Sequence, residues 1–113
     1  MKKLMIYGAT GYTGRMAAQY AVAAETPLIL AGRNEATLVS MSAMLGLEYR
    51  VFALEDTALV ESSLGDVGVL LNCAGPFART ANVLMHACIR QGVHYLDVAA
   101  ELDSYRLAEV LDG

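Results

Sequence analysis

An apolar run, Leu4-Met5-Ile6-Tyr7, breaks without a linker into Gly8-Ala9-Thr10-Gly11-Tyr12-Thr13-Gly14, and a helical pattern opens directly behind it. Few backbones satisfy that order. A buried strand must turn sharply, which Gly8 permits because it lacks a Cβ, and must then start a helix packed against the strand it has just left. Gly14, Ala18 and Ala21 form a small-residue face at helical spacing, so the helix can lie close to the strand with its positive end aimed at the turn. Gly11 lets backbone N–H groups approach an anion with no side chain in the way. Glycines at every third position in this setting are the arrangement that holds a dinucleotide pyrophosphate. Thr10 and Thr13 either donate hydroxyl hydrogen bonds to phosphate oxygens or act as turn former and first-turn cap.

The rest of the chain keeps switching between strand and helix periods. Short apolar runs at 4–7, 28–31, 49–52, 69–71 and 93–96 are bounded by turn residues, as strands buried on both faces of a parallel sheet are. Helical patterns fill 13–24, 35–45, 57–63, 80–91 and 102–111. Asn34 and Asp56 stand at N-cap positions, and Gly46, Gly65 and Gly92 follow the last periodic residue, where a left-handed conformation ends a helix. Right-handed crossovers between five strands give an α/β fold, a doubly wound parallel sheet of the Rossmann type in the order 3-2-1-4-5. The 113 residues suit one domain, without a second, substrate-binding one. A full dinucleotide-binding arrangement has a sixth strand, which is missing before Leu111-Asp112-Gly113. Residues 1–113 therefore read as an NAD(P)-binding domain that is an N-terminal fragment of a longer protein, a short natural module being the alternative.

Composition narrows the partners. Eight Lys and Arg against twelve Asp and Glu give a net charge of −4, and the basic residues are scattered, so no stripe can neutralise nucleic-acid phosphates. No apolar stretch approaches the roughly 18–20 residues that span a bilayer. The run behind Lys2-Lys3 meets Gly8 and Arg15 too soon for a signal peptide. A cytoplasmic location is expected. Cys73 and Cys88 lie in a strand and on a helix face without metal-ligand spacing, as buried free thiols do. Hydrophobic residues make up 56%, so apolar surface is expected to meet another domain or subunit, unless the chain is merely rich in Ala and Leu.

The end of the second strand, Ala31-Gly32-Arg33-Asn34, bears on the choice of cofactor. NAD-selective domains place a carboxylate there for the ribose hydroxyls. This chain offers Arg33 instead, able to hold a 2′-phosphate in bidentate fashion, with Asn34 as a further donor and Gly32 leaving room for the ribose. NADP is therefore expected over NAD. Arg15 either joins Arg33 or is a solvated surface residue.

Ligands of open α/β sheets lie beyond the strand ends where the order reverses, here between the first and fourth strands. The fourth ends Asn72-Cys73-Ala74-Gly75-Pro76-Phe77. Asn72 can pin a neighbouring loop or the cofactor ribose, Gly75 allows close approach, and Pro76 stiffens the turn on the nicotinamide side. A structural turn would use Gly-Pro as well. Beyond the fifth strand, Asp97 and Glu101 lie near the same rim, and Glu101 equally suits the first turn of a helix. His94 reads as a core or edge residue and His86 has no partner in sight. No acid–base pair stands out, and no catalytic residue is assigned.

The motifs GATGYTGR, AGRN, NCAGPFAR and HYLDVAAE, in this order, resemble the N-terminal NADP-binding domain of the saccharopine dehydrogenase-like oxidoreductases, which include the trans-acting enoyl reductases. The likeness runs from Lys3 to about Leu111. It implies that Gly8, Thr10, Gly11, Tyr12, Thr13 and Gly14 form the phosphate loop, that Arg33 selects NADP, and that Asn72 through Phe77, Ala74 included, flank the nicotinamide. It also implies a C-terminal domain or second subunit for substrate and dimerisation. Ala53 stands where an acid often ends the third strand, leaving Asp56 as the candidate for adenine. Thr80-Ala81 replaces a usual Tyr-Gly, and Ala100 a usual Gly before Glu101.

The leading expectation is the cofactor domain of an oxidoreductase whose substrate, unknown from the sequence, and catalytic residues lie elsewhere, so that the fragment alone is inactive. A non-catalytic module that senses NADP(H) or binds a partner is the alternative. An S-adenosylmethionine domain would want an acid at the second strand end, where Arg33 stands.

Overall fold

A computed structural model describes residues 2–74 and 77–97, with side chains for 2–74 and 80–97. The elements follow one another as β1 (Lys3–Tyr7), α1 (Tyr12–Ala23), β2 (Leu28–Gly32), α2 (Glu35–Leu45), β3 (Glu48–Val51), α3 (Thr57–Ser62), β4 (Val67–Asn72), α4 (Phe77–Gln91) and β5 (His94–Asp97). All strand pairings are parallel, and the sheet order is β3-β2-β1-β4-β5, as the crossover rule requires. The expected helix at 102–111, together with Gly75, Pro76, the Phe77 side chain and Glu101, lies outside the described residues.

Alternation along the strands builds two cores. Met5 and Tyr7 of β1 and Ile29 and Ala31 of β2 meet Val60, Leu64, Leu84 and Cys88 from α3, α4 and their junctions. Ile6, Leu28 and Leu30 project the other way onto Ala18 and Ala21 of α1 and Leu38 and Met41 of α2. Burial on both faces holds for β1 and β2, the latter buried at all of its positions. Among the described residues it fails for the outer strands: Glu48 and Tyr49 of β3 and His94 and Leu96 of β5 are exposed. An edge strand has a neighbour on one side only, so helices cannot cover it fully.

The caps explain where helices start and stop. Thr37 N donates to Asn34 Oδ1 at 3.2 Å and Leu59 N to Asp56 Oδ1 at 3.1 Å. Gly46 and Gly92 have φ of 68° and 69°, the left-handed values that end helices. Gly65 does not follow this pattern. α3 closes instead on right-handed Ser63, whose Oγ donates to Leu59 O at 2.7 Å, so no glycine is needed there. α4 begins at Phe77, ahead of the expected Thr80, because Ala78 and Arg79 are good helix formers that the apolar period overlooks.

At the amino ends of the strands a charged cluster ties β1, β3 and the α3–β4 loop together. Arg50 Nη1 and Nη2 grip Asp66 Oδ1 and Oδ2 at 2.7 and 2.9 Å, Nη2 also reaches Glu48 Oε2 at 2.7 Å, and Lys3 Nζ donates to Glu48 Oε1 at 3.0 Å. The Arg50 guanidinium lowers the Asp66 carboxyl from 3.8 to about 2. A carboxylate so depressed stabilises the fold above its unfolded pKa and loses that contribution as pH falls through about 2. Asp66 keeps 43% of its side-chain surface exposed, so solvent screening limits the effect to about 1 kcal/mol. Asp66→Asn is therefore expected to lower urea-unfolding stability by that amount at pH 7, and the gap to the wild type is expected to shrink towards pH 2. A gap independent of pH would refute the ion-pair origin.

Candidate dinucleotide site

A cavity of about 520 Å³ opens at the carboxyl ends of the strands, where Tyr7, Gly8 and Thr10 form its floor. Gly32, Arg33, Asn34, Leu54 and Glu55 line one side, beyond β2 and β3, while Ala74, Thr80 and Val83 line the other, beyond β4. The position is the crevice where strand order reverses between β1 and β4.

The glycine turn is built by backbone contacts. Gly8 adopts φ 80°, and a Cβ there would stand 2.7 Å from Ala74 N. One on Gly14 would lie 2.2 Å from Gly8 O and 2.8 Å from Ala9 Cα. One on Gly11 would meet nothing closer than Gly8 O at 3.6 Å, an ordinary contact. Two of the glycines are thus needed by the fold, and Gly11 is not. Gly11 is the N-cap of α1, with no side-chain cap bond and no acid in the first turn. The amides of that turn have no intrahelical acceptor, and their positive end faces outward unneutralised. α2 and α3 differ, since Asn34 and Asp56 cap them.

The expected site residues do not all gather at the cavity. Gly8, Thr10, Arg33, Asn34 and Ala74 line it, whereas Gly11, Tyr12, Thr13 and Gly14 do not. Tyr12 is 83% exposed. Arg33 is exposed, and among the described residues it forms no hydrogen bond or ion pair, whereas Lys3, Arg15, Arg50 and Arg90 are held by a carbonyl or carboxylate. Asn34 spends Oδ1 on its cap and keeps Nδ2 as a donor. Arg15 does not join Arg33: its Nε donates to Thr10 O at 2.8 Å, bracing the turn from outside the cavity. Asp56 is taken up by capping α3, and Glu55 lines the cavity in its place. Asn72 is fully buried and does not line the cavity; of its two expected roles it takes the pinning of the loop, through Ala74 N to Oδ1 at 3.0 Å.

Tyr7, Leu54, Thr80 and Val83 were not singled out as cavity residues by sequence reasoning. Tyr7 precedes the first glycine; its OH donates to Phe52 O at 3.0 Å and its ring packs on Phe52 with centroids 5.0 Å apart, tying the end of β1 to the segment carrying Leu54 and Glu55. Burial pushes the Tyr7 phenol up to about 12, with Arg33 pulling it down and Glu55 pushing it up. His86 and His94 are exposed and stand away from the cavity. Cys88 is buried and Cys73 half-buried, and burial raises both thiols to about 11, so neither is a ready thiolate. No group of three metal-ligating side chains occurs among the described residues, and no helix there is long and apolar enough to cross a membrane.

A glycine turn at the first βα junction, an uncapped helix start and a cleft at the reversal of strand order define a dinucleotide-binding Rossmann domain. The chain belongs to the family described as Saccharopine dehydrogenase NADP binding domain, which matches residues 4–111. A trans-acting enoyl reductase of Mycobacterium leprae is 31% identical over 106 residues, 88% of this chain and 25% of that protein. Trans-acting enoyl reductases of Mycobacterium tuberculosis are 28% identical over the same length. The chain thus spans about a quarter of the length of these curated relatives. Among solved structures, a nucleoside-diphosphate-sugar epimerase from Pseudomonas aeruginosa shares 29% identity and a TM-score of 0.71, over 85% of this chain and 32% of that one. A Citrobacter triphenylmethane reductase complexed with NADP(H) has the same fold, at 23% identity and a TM-score of 0.69 over 84% of this chain and 36% of its own.

Proposed function

We propose that these residues are the cofactor-holding part of an NADP(H)-dependent oxidoreductase, with substrate and catalytic groups held by polypeptide outside them, and that it works in the cytoplasm, where NADPH serves as reductant. The reading rests on one observation above the others: Arg33, unpaired among the described residues, stands at the end of β2 on the wall of the cavity. Its guanidinium and the Asn34 amide would take the 2′-phosphate, and Leu54 and Glu55 would flank the adenine. The Gly8–Gly14 turn and the start of α1 would receive the pyrophosphate. Ala74 and Thr80 would border the nicotinamide, with Asn72 buried behind them and pinning the loop that carries Ala74. The cofactor, when bound, supplies a hydride to the substrate, and the chain's own part is to bind and orient it and to exclude water. The relatives' name points to an enoyl-type reduction as the reaction class. Fluorescence titration is expected to show NADPH binding at least about tenfold tighter than NADH; equal affinities would refute the NADP assignment. A chain that binds NADPH but supports no hydride transfer within its whole polypeptide would instead be a sensing module.

A further inference from the structure

The ends of β4 and β5 carry a chain of hydrogen bonds whose proton directions are fixed. Tyr95 OH donates to Asp97 Oδ2 at 2.7 Å. With its proton committed there, the phenol oxygen can only accept, and it takes one from Asn72 Nδ2 at 3.1 Å. That orients the fully buried Asn72 amide. Its second Nδ2 hydrogen goes to Thr80 Oγ1 at 2.9 Å, and its Oδ1 accepts from Ala74 N at 3.0 Å. Thr80, receiving a hydrogen from Asn72, sends its own to Ala74 O at 2.8 Å. Burial holds the Tyr95 phenol well above its usual range, so the first link persists at any physiological pH.

The two ends of this chain that matter are on the cavity wall. Thr80 and Ala74 both line it, and Ala74 is the residue packed on Gly8. With its hydrogen and one lone pair engaged, Thr80 Oγ1 retains a single acceptor position. The geometry points to Tyr95, backed by Asp97, as a positioning residue for the nicotinamide half of the cofactor. By orienting the Asn72 amide it sets Thr80 as an acceptor for an N–H donor, the chemistry of the nicotinamide carboxamide. Tyr95 itself lies outside the cavity lining and acts only through Asn72.

The inference rests on the NADP(H) reading above, and one experiment separates their failures. The full chain and its variants are titrated with NADPH and with adenosine 2′,5′-bisphosphate, which carries the phosphorylated adenosine end and no nicotinamide. Tyr95→Phe is expected to bind NADPH about tenfold more weakly, the effect of one lost buried hydrogen bond, and the bisphosphate as the wild type does. Thr80→Val, which removes the hydroxyl at constant shape, is expected to give the same split. Unaltered NADPH affinity in both variants overturns the assignment. So does loss of both ligands in proportion, which marks a general structural role. A wild-type chain that binds neither ligand overturns the cofactor reading, and this one with it.

Discussion

Gly14→Ala is expected to destabilise the chain by about 3 kcal/mol and to abolish cofactor binding, although alanine is the better helix former by about 1 kcal/mol. The added methyl would lie 2.2 Å from Gly8 O, 2.8 Å from Ala9 Cα and 2.9 Å from Ala9 C. All three are backbone atoms, which no rotamer change moves aside. Relief requires α1 to retreat from the turn, opening the contact at which Ala18 and Ala21 are buried. Gly11→Ala supplies the control. Its Cβ meets only an ordinary 3.6 Å contact at φ −74°, so urea-unfolding stability is expected to stay within about 0.5 kcal/mol while NADPH affinity falls. A Gly14→Ala chain as stable as the wild type would show that helix and turn are not in close contact.

Arg33→Ala is expected to weaken NADPH binding between about tenfold and a hundredfold, the worth of a charge-assisted hydrogen-bond pair, and to leave NADH binding unchanged. The fold should be indifferent, because Arg33 is exposed and supports no ion pair among the described residues. Arg33→Lys keeps the charge but loses the planar fork, so an intermediate affinity is expected. Parallel loss of NADPH and NADH affinity would place the arginine at some other part of the cofactor. Isothermal titration of the variants with both nucleotides makes the distinction.

The contrast between these two positions also explains how much of the molecule was legible beforehand. The β1–turn–α1 unit follows from residues within one short window, where glycine spacing and strand period are local facts. Strand order followed as well, since parallel crossovers leave few alternatives. Glu55 is less legible: Ala53 at the end of β3 leaves Asp56 as the candidate acid in the sequence, whereas Asp56 Oδ1 accepts from Leu59 N at the start of α3 and Glu55 lines the cavity. The link from Asn72 to Tyr95 joins residues 23 apart in sequence on neighbouring strands, and no periodicity announces a partner at that range. Edge exposure at β3 and β5 was missed for a similar reason. Apolar runs report that a strand is buried on average, and the sheet order decides which strands have a second neighbour.

Gly11 gives α1 no side-chain cap, while Asn34 and Asp56 complete α2 and α3 from within the chain. Solvent should therefore distinguish these helix ends when the ligand arrives. Backbone amide protons of Tyr12 and Thr13, both exposed, would exchange quickly with deuterium in the free chain and slow once a phosphate accepts from them. Those of Thr37 and Leu59, already bonded to side-chain oxygens, would keep one rate throughout. Helix α1 is thus completed by the ligand, and its first turn becomes a reporter of occupancy that needs no chromophore.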